Sequence, residues 1–140
     1  MRFAVACAVA VLALGGVADA RTKAPAGAEA YIVSPADGAK VKSPVKVVFG
    51  LKGMGIAPAG VEFPNSGHHH LLIDAPAPSG ADLDLPIPDD ANHKHFGKGQ
   101  TEVELTLAPG KHTLQLLLGD HGHVPLDPVV ASKVVTMTVE

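Results

Sequence analysis

The sequence predicts an all-β domain, an immunoglobulin-like antiparallel β-sandwich of about seven strands. Three observations carry that prediction. Pro and Gly are dense, 12 and 15 in 140 residues, and they punctuate the chain as turn residues do. The apolar segments between them are short and often β-branched, which is the composition of half-buried strands. No segment repeats its apolar residues with the period of an amphipathic helix, and the density of prolines counts against helical alternatives. Short strands separated by turns are what a two-sheet sandwich requires.

The chain opens MRFAVACAVAVLALGGVADA, in which one basic residue precedes an apolar run of about a dozen residues and an A-x-A site, Ala18-Asp19-Ala20. Residues 1–20 therefore read as a signal peptide that exports the protein to the periplasm, cleaved before Arg21 and leaving no membrane anchor. A retained span is the weaker reading, because crossing a bilayer takes roughly 20 apolar residues and this run is shorter. The single cysteine, Cys7, lies inside that run. The remaining 120 of the 140 residues suit one compact domain. Lacking disulfides, it must be held by core burial, and lacking thiolates it has no catalytic cysteine, thiol redox chemistry or cysteine-type zinc site. A net charge of −3, one Tyr, no Trp and no basic run give nothing for a nucleic acid to bind.

Residues 21–30, RTKAPAGAEA, read as a flexible linker of small residues with nothing to bury, and residues 31–140 as the domain. Tyr31-Ile32-Val33 is a short strand stopped by the turn Ser34-Pro35-Ala36-Asp37-Gly38. The next strand, Val45 to Leu51, places Val45, Val47, Phe49 and Leu51 on one face. After a Gly/Pro-rich loop, GHHHLLID at 67–74 begins a strand with His69, Leu71 and Ile73 on one face and His68, His70 and Leu72 on the other. Residues 75–92 are rich in Pro and Asp and cannot pair as an inner strand, because each proline lacks a ladder donor. They read as a surface excursion. TEVELTL (101–107) alternates, Ala108-Pro109-Gly110 turns, and HTLQLLL (112–118) runs back, which predicts a hairpin. Val134 to Val139 is the closing strand. The predicted core is Val47, Phe49, Leu71 or Leu72, Val103, Leu105, Leu114, Leu116 and Val135.

All eight histidines follow residue 20, and seven fall into three groups: His68-His69-His70, His93 with His95, and His121 with His123. Residues two apart on a strand share a face at roughly 6.5–7 Å, a spacing from which two imidazoles converge on one ion. His68 with His70, His93 with His95, and His121 with His123 have that spacing if extended, and they sit near strand ends, where a sandwich presents its loops, so some of them should meet at one rim. Imidazole, carboxylate and water donors suit Cu(II) or Zn(II). The candidate ligands are His68, His70, His95, His121 and His123, with Asp74 and Asp120 as partners that orient the imidazoles. The ordinary alternative is that turn histidines are solvated and buried ones bond a carbonyl, and His112 reads as structural. Gly97, Gly99, Gly119 and Gly122 read as turn glycines, since no P-loop spacing accompanies them.

No G-x-S-x-G elbow, H-E-x-x-H or paired nucleophile and base is present, so the reading is of a protein that is not an enzyme. A copper–zinc superoxide dismutase is set aside because its glycine-flanked histidine spacings and its disulfide are missing. Four segments in order, GHHHLLID (67–74), HFGKGQTE (95–102), PGKHTLQLLLGD (109–120) and HVPLDP (123–128), resemble a DUF4399-like family of exported bacterial domains of unknown function. The likeness runs from about Tyr31 to the end of the chain and implies a periplasmic β-sandwich without an established activity. The family pattern carries a second histidine after the last proline, as in HVPHDP, where this chain has Leu126.

Two functions are then open: capture, buffering or delivery of a transition metal by the histidine rim, or a non-catalytic module that recognises a periplasmic protein or cell-envelope component through residues 75–92. Proximity of His68 or His70 to His121 or His123 favours the first. Clusters at opposite ends of the domain favour the second.

Overall fold

The computed structural model describes residues 20–140; residues 1–19 of the stretch read as a signal peptide lie outside the described residues. The elements are β1 (Glu29–Ser34), β2 (Lys40–Val41), β3 (Val45–Lys52), β4 (Gly55–Ile56), β5 (Ser66–Ile73), a 3₁₀ turn (Gly80–Asp84), β6 (His93–His95), β7 (Glu102–Leu105), β8 (Gly110–Gly119) and β9 (Val135–Val139). They form two packed sheets, three-stranded β1-β3-β7 and six-stranded β2-β9-β8-β5 with β4 and β6 both bonded to β5. All pairings are antiparallel except the short β2/β9 and β4/β5 contacts. The fold is the immunoglobulin-like β-sandwich that the sequence predicts.

Alternation builds the core. On β3, Val45, Val47 and Phe49 turn inward while Lys46 stays in water. They meet Leu71 and Ile73 of β5, Leu105 of β7, Leu114, Leu116 and Leu118 of β8, and Met137 and Val139 of β9. Val103 packs at the margin of this cluster and Val135 is buried. Between Leu71 and Leu72, Leu71 takes the inner face. Leu72 faces outward with Leu117 and Ile87 in a second cluster, so the middle of β5 and β8 is buried on both sides. That is why LQLLL reads as a nearly continuous apolar run rather than an alternating one. The outer cover is the 75–92 segment, which lies on the sheet through Ile87 and carries a groove of about 460 Å³ lined in part by Pro76, Leu85, Pro86 and His93.

Two expectations are corrected. The hairpin from 101–107 to 112–118 does not form: β7 pairs with β3, and β8 pairs with β5 and β9. Residues 106–109 instead arch between sheets, which in a sandwich lie about 10 Å apart. A hairpin and an arch bury the same face of each strand, so alternation does not separate them. Residues 21–28 also dock on the domain rather than hang free. The Asp127 N–H donates to Thr22 O at 2.9 Å, the Ala24 N–H donates to Asp127 O at 2.9 Å, and the Arg21 guanidinium reaches the carbonyls of Pro125 and Leu126. The small residues also find something to bury, since Ala24 and Ala28 pack against the core.

Candidate metal centre

The period of β5 turns the histidine triplet in two directions. His69 faces the inter-sheet core, its ring 5.1 Å from that of Phe49. His68 and His70 face outward. The three-residue β6 then pairs with β5 so that His95 stands directly opposite His70, and opposite residues of an antiparallel pair share a face. His123 completes the group from the loop after β8. One nitrogen from each of His68, His70, His95 and His123 lies within 4.8 Å of the others. His68 Nε2 is 3.1 Å from His123 Nδ1 and 3.2 Å from His95 Nε2. Four of the six ring pairs meet edge-on rather than stacked, so nitrogens converge on a common space.

Two glycines make that space. A Cβ on Gly119, which stands opposite His68 in the ladder, would lie 2.7 Å from His70 Cε1, and one on Gly97 would lie 2.3 Å from His95 Cε1. Neither glycine has a positive φ. They are not needed for a turn; they admit imidazoles, a role the turn-glycine reading missed.

The loop that carries His123 is held from several sides. His123 has φ 69°, in the left-handed region that a non-glycine residue occupies only when its surroundings hold it there. Its N–H donates to Asp120 O and its carbonyl accepts from the Ile87 N–H, both at 2.9 Å. Asp120 is 6% exposed. Its Oδ1 accepts from the N–H groups of Gly122 and Val124 at 2.9 and 3.0 Å, and its Oδ2 accepts from the Thr22 hydroxyl at 2.7 Å.

Among the described residues, no carboxylate hydrogen-bonds any of the four imidazoles. Burial pushes His68 down to about 4 and His70 to about 3, with the neighbouring imidazoles adding to the shift. His69 is lowered to about 4 by burial alone. These rings are neutral at pH 7 and keep a lone pair. Among the described residues, His70, at 1% exposure, has no hydrogen-bond partner for either ring nitrogen, and neither do His68 Nδ1 and His69 Nδ1. A buried polar atom without a partner costs roughly 1–3 kcal/mol, and a cation among the four nitrogens would supply one. In a tetrahedral site with metal–nitrogen bonds of 2.0–2.1 Å the nitrogens are about 3.3 Å apart, close to the 3.1 and 3.2 Å separations from His68 Nε2.

Of the five histidines the sequence nominates, His68, His70, His95 and His123 come together. His121 does not: it is exposed, and its carbonyl accepts from the Gly60 N–H. The spacing of two puts residues on one face only where the chain is extended, and residues 121–123 form a turn. Asp74 does not reach the cluster either, because it stands at the opposite end of β5 from His68. It pairs with His112, whose Nδ1–H donates to Asp74 Oδ2 at 2.7 Å. Asp120 is beside the cluster but bonds backbone and Thr22, so it orients a loop rather than an imidazole. His93 donates to Asp90. Leu126, 1% exposed, belongs to the apolar core.

The family model described as Domain of unknown function (DUF4399) matches residues 47–140, a range that contains all four clustered histidines. The chain belongs to this family. No curated protein and no solved structure matches the chain. Within the DUF4399 match lie both space-making glycines and Asp120, whereas Thr22 and the rest of the docked 21–28 segment precede it.

Proposed function

We propose that this protein is an exported periplasmic metal-binding protein that takes up Cu(II) or Zn(II) through His68, His70, His95 and His123, for capture, buffering or delivery, without catalysis. The observation that carries the reading is the convergence of four imidazole nitrogens within 4.8 Å, among them a buried His70 with both nitrogens unpartnered. Purely nitrogen donors, with no thiolate, suit these two ions. Four protein ligands fill a tetrahedral shell, whereas catalytic zinc sites keep one position open, which supports binding over turnover.

Metal analysis of protein purified without an affinity tag tests the reading. One equivalent of Cu(II) or Zn(II), retained through gel filtration, is the expected result; less than a tenth of an equivalent of either, in protein that also takes up none on titration, would sink it. The second reading, an envelope or protein-recognition module, has the groove along the 75–92 segment in its favour. It requires no metal and no role for His68, whose 3.1 Å approach to His123 it leaves unexplained.

A further inference from the structure

Three consecutive residues at the start of the described domain all fasten one distant loop. Arg21 Nε donates to Pro125 O at 3.1 Å and the guanidinium also reaches Leu126 O. The Thr22 hydroxyl donates to Asp120 Oδ2 at 2.7 Å, across 98 residues of sequence. The Lys23 ammonium pairs with the Asp127 carboxylate, and the backbones of Thr22, Lys23 and Ala24 run beside Asp127 in a short parallel bridge. Residues 120–127, the segment gripped in this way, include His123.

We infer that Thr22, flanked by Arg21 and Lys23, is a positioning residue of the metal centre, acting through Asp120 to hold His123 as the fourth ligand. The inference rests on the metal reading above and adds residues from outside the family match. The chain of contacts has no gap. One oxygen of the Asp120 carboxylate holds the N–H groups on either side of His123. The other oxygen belongs to Thr22. A carboxylate 6% exposed that loses the Thr22 donor is left with the loop's own N–H groups as its hydrogen-bond donors. Their rearrangement moves a histidine whose φ of 69° already depends on restraint. His68, His70 and His95 stand on paired strands, so they do not share this dependence. His123 is the one ligand of the four that a hydroxyl elsewhere in the chain can place or misplace.

The test compares the full chain with Thr22→Val, which keeps shape and removes the donor, and Thr22→Ser, which restores it. Each is also made in a His123→Ala background. The probes are Zn(II) under chelator competition and Co(II), whose visible absorption is intense in a four-coordinate site and weak when water expands the shell. Thr22→Val should weaken both ions by up to about 10-fold, the lower end of the range for a partner bonded to a ligand itself, because it acts one contact further out, and should weaken the four-coordinate Co(II) band. Thr22→Ser should recover both. In the His123→Ala background Thr22→Val should change nothing further, because the effect runs through that ligand. Parental affinity and spectrum in Thr22→Val overturn the inference and leave the metal reading standing. An equal loss with and without His123 overturns it too, since that is general destabilisation. A parent that binds neither ion overturns the metal reading and this inference with it.

Discussion

Histidines at the two ends of β5 are treated in opposite ways. His112 has a carboxylate and a carbonyl: Nδ1–H donates to Asp74 Oδ2 and Nε2–H donates to Ala108 O at 2.8 Å. Both nitrogens donate together only in the imidazolium form, and the bonds to Asp74 and then to Ala108 hold its pKa above the usual histidine value. Burial works to raise Asp74, but the hydrogen bonds from His112 and the Thr113 N–H outweigh it and hold it below the usual carboxylate range. At the other end of β5, four imidazoles crowd together with no hydrogen-bonded carboxylate among the described residues, and burial pushes His68 and His70 far down. One environment keeps a proton. The other leaves His68 and His70 with their lone pairs, which is the form a metal binds.

The double variant His68→Ala/His70→Ala tests the contrast most severely. It removes two of four ligands, so Zn(II) and Cu(II) affinity should fall by far more than the roughly 100-fold attributed to an outer partner. Calorimetry with a competing chelator reads the loss, and parental affinity in the variant would break the comparison.

Acid should act next most strongly, with opposite signs at the two ends. For His68, His69 and His70 the unfolded chain has the ordinary value of 6.5 and the folded one about 4, 4 and 3. Above pH 6.5 both states are neutral and no penalty exists. As pH falls from 6.5 towards those folded values the unfolded state binds more protons, so metal-free protein should lose stability, on the order of several kcal/mol. Urea unfolding at pH 7 and pH 4.5 measures it; an unchanged midpoint would contradict the burial of these rings.

His70→Leu separates a ligand from a packing residue. If the imidazole is there for a metal, the metal-free variant should be as stable as the parent or more stable by about 1–3 kcal/mol, since two unpartnered nitrogens disappear, while stabilisation by Zn(II) is lost. A packing role predicts a less stable metal-free protein instead.

Asp74→Asn should give the smallest effect, about 1 kcal/mol or less for a partly exposed pair. The His112 contribution is complete below pH 6.5 and fades as pH rises through its raised folded value. The Asp74 contribution is present above 3.8 and fades as pH falls through its lowered one. The variant's deficit should therefore be largest between about pH 4 and 6.5 and shrink at pH 9. A deficit that grows with pH would assign these two residues some other role.

Much of this was legible in the residues. Val45, Val47 and Phe49 announce their face, and the same period puts His68 and His70 together and His69 on the far side. His95 was legible as a candidate, although its place opposite His70 depends on register, which three residues in an HKH segment do not specify. The pairing of His121 with His123 failed because it assumed extended backbone where the chain turns. Gly97 and Gly119 looked like turn residues because what they admit, an imidazole from another strand, is set only by the packed sheet. The arch at 106–109 and the docking of Arg21, Thr22 and Lys23 were hidden for a related reason: both depend on partners chosen in three dimensions, the latter across about a hundred residues by hydrogen bonds that leave no periodic trace.

X-ray absorption of the Zn(II)-loaded protein tests the central claim most directly, because it counts imidazole ligands at the metal. The expected shell is four imidazole nitrogens at about 2.0 Å, from His68, His70, His95 and His123. A shell dominated by oxygen, with two imidazoles or fewer, would contradict it.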